Sequence, residues 1–307
     1  MELFNSALGK NITFVRPAYF IISGFIAVPN VKYYYVFLFF VYFVSVLGNA
    51  SVMAVIRLDR KLWTPRYVAV FNLALVLHMF LFDHRHIPYN DCLTFLFFCY
   101  VFLSMQALNL VALSYDRLIA IIFPLHYQVR VTRRLMSSLI GSFWLFAAAG
   151  TLTAVGLLTR LSFCRSVVVN SYFCDHGQMY RLACNDNTPN VVVGHLLPLA
   201  VLWLPLSFIL LTYVCIGFTL TKVATVQERA KAFKTCTAHL SLVAIYFLPI
   251  LITFSSRVSP NARIINLSLT SVLPPMLNPI IYVLQTQEIK QSSQGSVCSK
   301  APVSDGQ

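Results

Sequence analysis

The chain has 307 residues, 58% of them hydrophobic and 11% charged, with a mean hydropathy of +0.73. Soluble domains carry about a quarter charged residues, so this composition excludes an ordinary water-soluble globular protein. The net charge of +13 does not mark a nucleic-acid binder, because apolar stretches split the basic residues and leave no continuous stripe.

Residues 1–16 carry Lys10 and Arg16 and lack an apolar core, so no cleavable leader is expected there. Asn11-Ile12-Thr13 is a glycosylation sequon. Beyond it, the gaps between charged side chains measure candidate membrane spans, each needing about 20 apolar residues to cross about 30 Å of hydrocarbon. In chain order, Lys32 to Arg57 leaves 24 uncharged residues, Arg66 to Asp83 leaves 16 and Asp91 to Asp116 leaves 24. Arg134 to Arg160 leaves 25, Asp186 to Lys222 leaves 35, Lys234 to Arg257 leaves 22 and Arg263 to Glu288 leaves 24. Six windows are long enough outright. The second gives only about 24 Å of helix, and is counted as a span because the loops call for an odd number.

With seven crossings, segments 57–66, 116–134 and 222–234 total 42 residues and hold 12 Lys or Arg. Segments 83–91, 160–186 and 257–263 total 43 residues and hold 6. Short loops rich in Lys and Arg stay in the cytoplasm, which places the first set inside and the N-terminus outside. The expected organisation is an all-α seven-transmembrane helix bundle with a short or truncated second helix. Residues 1–32 would lie outside, 33–287 would form the bundle, and 288–307 a cytoplasmic tail.

Four cysteines, Cys92, Cys164, Cys174 and Cys184, fall in segments assigned to the oxidising exterior, which permits disulfides. Three connectivities are open. No Cys-x-x-Cys spacing supports zinc. Cys99, Cys215 and Cys236 lie inside windows and read as small buried apolar residues.

The third window ends in Ser114-Tyr115-Asp116-Arg117, an acid–base pair where a helix leaves the membrane, followed by the basic stretch Arg130, Arg133 and Arg134. Such a pair is costly unless its members are paired or used; the plain alternative is an interfacial pair snorkelling to water. The sixth window opens with Lys231-Ala232-Phe233-Lys234-Thr235-Cys236 and reaches His239. That histidine reads first as a hydrogen-bonded structural residue and second as a titrating switch. In the seventh window Asn278-Pro279 breaks the helix, because proline removes a backbone donor and kinks it.

Taken together, the seven windows, Gly48-Asn49 in the first, Asp116-Arg117 in the third and Asn278-Pro279-x-x-Tyr282 in the seventh resemble a rhodopsin-type G-protein-coupled receptor. Ser114-Tyr115-Asp116-Arg117, the Lys231–Cys236 stretch with His239-Leu240, and Pro275-Met276-Leu277-Asn278-Pro279 are similar to the odorant-receptor signature. The likeness runs from about Phe20 to Lys290. Cysteine spacing and the Asp91-Cys92 entry to the third window resemble the fish-like class of these receptors.

The resemblance implies a small-molecule odorant as ligand and a heterotrimeric G protein of the stimulatory olfactory type as partner, raising cyclic AMP at the plasma membrane. Membrane lipid is the surrounding solvent, and no cofactor, metal or nucleic acid is expected. Arg117 would meet the G protein once the sixth helix swings out, with Asp116 holding it at rest. Tyr213 and Tyr282 would stabilise the active arrangement, with His239, Asn278 and Pro279 in the same switch region. Cys92 would bridge to Cys174, and Cys164 to Cys184.

The chain departs from the pattern in three places. Leu62-Trp63-Thr64-Pro65-Arg66-Tyr67 stands where the family has Leu-His-x-Pro-Met-Tyr, and Leu118 follows Asp116-Arg117 where the family has Tyr. After Phe71-Asn72-Leu73-Ala74, Leu77 takes the place of a membrane Asp. The stretch from Asn72 to Cys92 is also a dozen or more residues shorter than the family's. An excised block accounts for both the length and the missing carboxylate, which makes a signalling-incompetent truncated variant the alternative reading.

In this family the ligand lies between the third, fifth and sixth helices. Tyr100, Leu103, Ser104 and Ala107 share one helix face by their spacing. Gly194, Pro198 and Val201 on the fifth, with Phe247, Leu251 and Phe254 on the sixth, complete an apolar chamber with few polar handles; for each residue plain helix packing is the competing explanation. No charged side chain is placed in the outer half of a span, and Arg257 is the expected contact for an anionic group. A small-solute transporter would show intramembrane charges or inverted repeats, and an enzyme paired carboxylates within the spans. The windows contain no Asp or Glu.

Overall fold

A computed structural model describes residues 15–25, 28–58, 85–222, 226–255, 258–274 and 276–277. The second window, and the short or truncated helix expected there, lies outside the described residues. The first window is one helix, Val31–Leu58, and the third is a helix of 34 residues, Tyr89–Ile122. Asp116-Arg117 therefore sits within that helix and not at its end. The fourth window is Arg133–Thr159, opened by Thr132, whose hydroxyl accepts from the Leu135 amide at 3.2 Å and satisfies one of the free amides of the first turn.

The fifth window is helical over Thr188–Lys222, with Pro189 in its first turn, where a missing N–H costs nothing. Pro198 cannot continue the regular ladder, and the next turn, Leu199–Trp203, widens to a π-helical turn before Leu204–Lys222 resumes. The sixth window is Val226–Ser255, with Pro249 inside it, and the chain is helical again over 260–274.

Lipid explains the surface. Phe37, Phe40, Val44 and Leu47 on the first span, and Leu204, Leu211, Val214 and Phe218 on the fifth, are all exposed, and their spacing lines each set along one stripe. Water would penalise such stripes; a bilayer accommodates them. Cys215 lies on the outward face of the fifth span and is exposed, which corrects its expected burial: its neighbours Leu211 and Val214 face outward too, and a thiol is apolar enough for lipid. Cys99 is half-buried and Cys236 buried.

The third span is the axis of the bundle. Of its most apolar stretch 56% is buried inside the protein, against 17% for the fourth span. It packs Val101, Phe102, Met105 and Leu108 against Ala147 of the fourth span. On another face it packs Ala107 and Leu110 against the fifth and sixth.

To the helical class the structure adds a small sheet over the outer mouth. β1 (Tyr19–Ile22) is central, antiparallel to β2 (His86–Pro88) with Phe20 opposite Ile87, and parallel to β3 (Val168–Val169) with Ile21 opposite Val168. Phe20 and Ile22 point inward and are fully buried, Phe20 lying 5.2 Å from the Phe163 ring and 5.8 Å from the Tyr89 ring. Strands this short have no strong period of their own, and it is the apolar face under them that fixes the register. Gly24 follows at φ 63°, a left-handed conformation that lets its amide donate to the Ser171 carbonyl at 3.0 Å.

Candidate functional site

Two disulfides tie the outer loops down. Cys92 is joined to Cys174 with their Cα atoms 5.6 Å apart, and Cys164 to Cys184 at 5.9 Å, the pairing that the resemblance implies. The first bridge draws the long loop across the top of the third span and delivers the next residue, Asp175, into a buried position.

Asp175 is 2% exposed, and its carboxylate is fully employed. Oδ1 accepts from the Tyr100 hydroxyl at 3.1 Å and from the Gly177 amide at 2.8 Å, while Oδ2 meets the Arg263 guanidinium at 2.5 Å. Loop, third span and the helix at 260–274 are thus held at one point. Arg263, the charge that bounds the seventh window, lies in the first turn of the helix at 260–274. Beside it, His176 is 4% exposed, and burial holds its imidazole below the ordinary value, the neighbouring Asp175 charge opposing in part.

Below that knot lies an apolar cluster. Ala107, Val201 and Phe247 are buried together with Leu110, Leu202 and Tyr246, and Leu251 packs against them. The Tyr246 hydroxyl donates to the Leu103 carbonyl at 2.7 Å, fastening the sixth span to the third. Ser104 was expected as a polar handle, but its hydroxyl donates to the Tyr100 carbonyl of its own helix at 2.7 Å. Pro198 is half-buried where the widened turn carrying Val201 begins, and Gly194 lies higher, against His176 and Tyr180. The side chains of Phe254 and Arg257 lie outside the described residues.

At the other end of the third span, Arg117 Nε lies 3.8 Å from Asp116 Oδ2, and the Tyr127 hydroxyl donates to Asp116 Oδ1 at 2.7 Å. Burial first, and the bond to Asp116 second, push the Tyr127 phenol up to about 12. The Tyr213 hydroxyl and His239 Nδ1 are hydrogen-bonded at 2.6 Å, with His239 only 6% exposed. Asn11, Asn278, Pro279 and Tyr282 fall outside the described residues. No cluster of three or more His, Cys, Asp or Glu suited to a metal occurs among the described residues.

The sequence model of the family described as "Olfactory receptor" matches residues 38–300. The chain belongs to the olfactory receptor family. It is 33% identical to olfactory receptor 1E16 of Mus musculus over 297 residues, covering 92% of this chain and 95% of that one. It is 32% identical to olfactory receptor 1C1 of Homo sapiens over 305 residues (93% and 95%), and 29% identical to olfactory receptor 3A1 of Homo sapiens over 301 residues (92% and 95%). This olfactory receptor is accordingly a multi-pass membrane protein of the seven-transmembrane type, a receptor and not an enzyme, with an odorant as ligand and a G protein as partner.

Sequence reasoning about this receptor missed Asp175 and Arg263. One signal was present: Asp175 directly follows Cys174, which the resemblance pairs with Cys92 at the start of the third span. Arg263, the charge that bounds the seventh window, carries no comparable mark.

Proposed function

We propose that the odorant binds where the third, fifth and sixth spans meet, against Ala107, Val201, Phe247 and Leu251, with Leu103, Ser104, Pro198 and Phe254 around them. The single observation that carries this reading is the apolar cluster that those three spans build below the Asp175 knot, with Leu277 of the seventh window packed against it. The N-terminus lies outside and the tail in the cytoplasm, as the Lys and Arg bias of the loops requires. Asp116 restrains Arg117 at rest, and outward movement of the sixth span frees that arginine for a stimulatory olfactory G protein, raising cyclic AMP. The Tyr213–His239 bond between the fifth and sixth spans is the contact this motion must rearrange. The Asp91-Cys92 entry and the cysteine spacing support the fish-like class.

A cyclic-AMP reporter in cells given an odorant panel tests the reading. A response abolished by Arg117→Ala at unchanged surface level is expected; a response that survives Arg117→Ala refutes the coupling role.

A second reading has its own support. In the match to olfactory receptor 3A1, 92% of this 307-residue chain is about 282 residues, against 301 aligned positions. The shortfall agrees with a block missing between Asn72 and Cys92 and with Leu77 in the place of the membrane Asp. On this reading the chain reaches the family fold without signalling, and restoring an in-frame segment from the genomic DNA between the Ala74 and His78 codons switches the reporter response on.

A further inference from the structure

Four buried polar atoms of the outer mouth have no hydrogen-bond partner among the described residues: the Tyr89 hydroxyl, Arg263 Nε, His176 Nε2 and Asn190 Nδ2, of which the last two share one place. His176, in the short helix His176–Met179, is 4% exposed and its Nε2 has no hydrogen-bond partner among the described residues. Asn190, in the first turns of the fifth span, is 1% exposed and its Nδ2 is likewise unpaired. Asn190 belongs to the helix Thr188–Pro198, and the His176 ring lies against the same helix at Gly194. Gly194 follows Asn190 by one turn on the same face. A side chain there would meet the His176 ring at 3.8 Å and the Tyr180 ring at 3.5 Å. The Asn187 amide, donating to the Tyr180 carbonyl at 3.0 Å, holds the loop to the start of this helix. Buried polar groups in native proteins are almost always satisfied, and those that are not call for a specific explanation such as a ligand.

The charge balance narrows the chemistry. The nearby Arg263 guanidinium spends Nη2 on Asp175, so the charges of that pair balance, while its Nε has no hydrogen-bond partner among the described residues. An amide N–H and an imidazole N–H suit one oxygen with two lone pairs. A carboxylate would enter beside an ion pair with no net charge, and so would lose its hydration without gaining a counter-ion.

The geometry points to Asn190 and His176 as the polar anchor for an uncharged odorant bearing a carbonyl oxygen, with Asp175 discriminating against carboxylates by occupying Arg263. This rests on the receptor reading above, and adds to it a ligand class and the residues that select it. The odorant's apolar body would extend from this anchor toward the Ala107–Phe247 cluster.

The test uses the full chain at the cell surface with the cyclic-AMP reporter. The probes are matched sets of aldehydes, methyl esters and carboxylates across a range of chain lengths. Wild type should respond to aldehydes or esters at concentrations about tenfold or more below the matched carboxylates, and Asn190→Leu should raise the half-maximal carbonyl concentration about tenfold. Asp175→Asn keeps an acceptor for Tyr100 and Gly177 while freeing the Arg263 charge, and should shrink the aldehyde-to-carboxylate gap by about tenfold; Asp175→Asn with Arg263→Gln should restore it. If Asn190→Leu fails to reach the surface, His176→Phe serves for the same loss. Carboxylates equal to or better than aldehydes in wild type, or an unmoved carbonyl response in the anchor variants, would overturn the inference and leave the receptor reading standing. Silence of surface-expressed wild type to every probe would overturn the inference and favour the reading of a chain that folds without signalling.

Discussion

Removing the charge at Asp175 should loosen the whole outer mouth, because one carboxylate holds three elements. Asp175→Ala deletes the bonds from Tyr100 and Gly177 and leaves Arg263, whose side chain is 28% exposed, without its counter-ion. Breaking a fully buried pair costs about 3–5 kcal/mol. Partial hydration of Arg263 lowers that, so about 2–4 kcal/mol is expected here. Asp175→Asn retains an acceptor for two of the three donors and should cost less, about 1–2 kcal/mol. A double-mutant cycle with Arg263→Gln isolates the pair, with an expected coupling of about 1–3 kcal/mol. The assay is thermal unfolding of purified receptor in nanodiscs, where each kcal/mol moves Tm by about 2–4 °C in a chain of this size. A coupling below about 0.5 kcal/mol, the level at which independent sites add, would refute the argument that this pair fastens the loop to the helix at 260–274.

Three further outcomes follow from the same geometry. The Cys92–Cys174 bridge closes 82 residues and Cys164–Cys184 closes 20, so loop-closure entropy makes the first worth about 4.5 kcal/mol and the second about 3.3 kcal/mol; Cys174→Ser should therefore lower Tm and surface level more than Cys184→Ser, as read by unfolding and surface immunostaining. Tyr246→Phe removes one buried bond between the sixth and third spans and should cost about 1 kcal/mol with a parallel rise in basal reporter signal, while unchanged Tm would deny that bond any weight. Burial depresses the folded pKa of His176 below 6.5, so above that pH both folded and unfolded states are neutral and stability is complete; as pH falls below 6.5 the unfolded state takes the proton first and stability is lost. A Tm profile from neutral to mildly acid pH should slope down on the acid side in wild type and flatten in His176→Gln.

The spans were legible because their cause is local. A run of uncharged side chains long enough to cross hydrocarbon is a property of the run itself, and the windows opening at Asp91, Arg134, Asp186 and Lys234 each became a continuous long helix. The meeting of Ala107, Val201, Phe247 and Leu251 was within reach for the same reason: helical spacing names the face, and the family resemblance names which faces meet. The outer cap was not legible. Tyr19–Ile22 and Val168–Val169 are too short for a period-two pattern, and they pair only because the loops that carry them are anchored elsewhere.

From the sequence by itself came the solvent of this protein and its several long apolar spans, since both depend on how many charges lie within a stretch of chain. Tertiary structure alone decided that Asp175 meets Arg263 across 88 residues, that Ser104 turns its hydroxyl back on its own helix, and that His176 and Asn190 are buried with bonding capacity to spare. Those outcomes depend on which side chain faces which across a packed interface. A composition count carries no information about partners so distant in the chain, and the bundle supplies it by forcing the loop under a disulfide and the end of a helix into the same small volume.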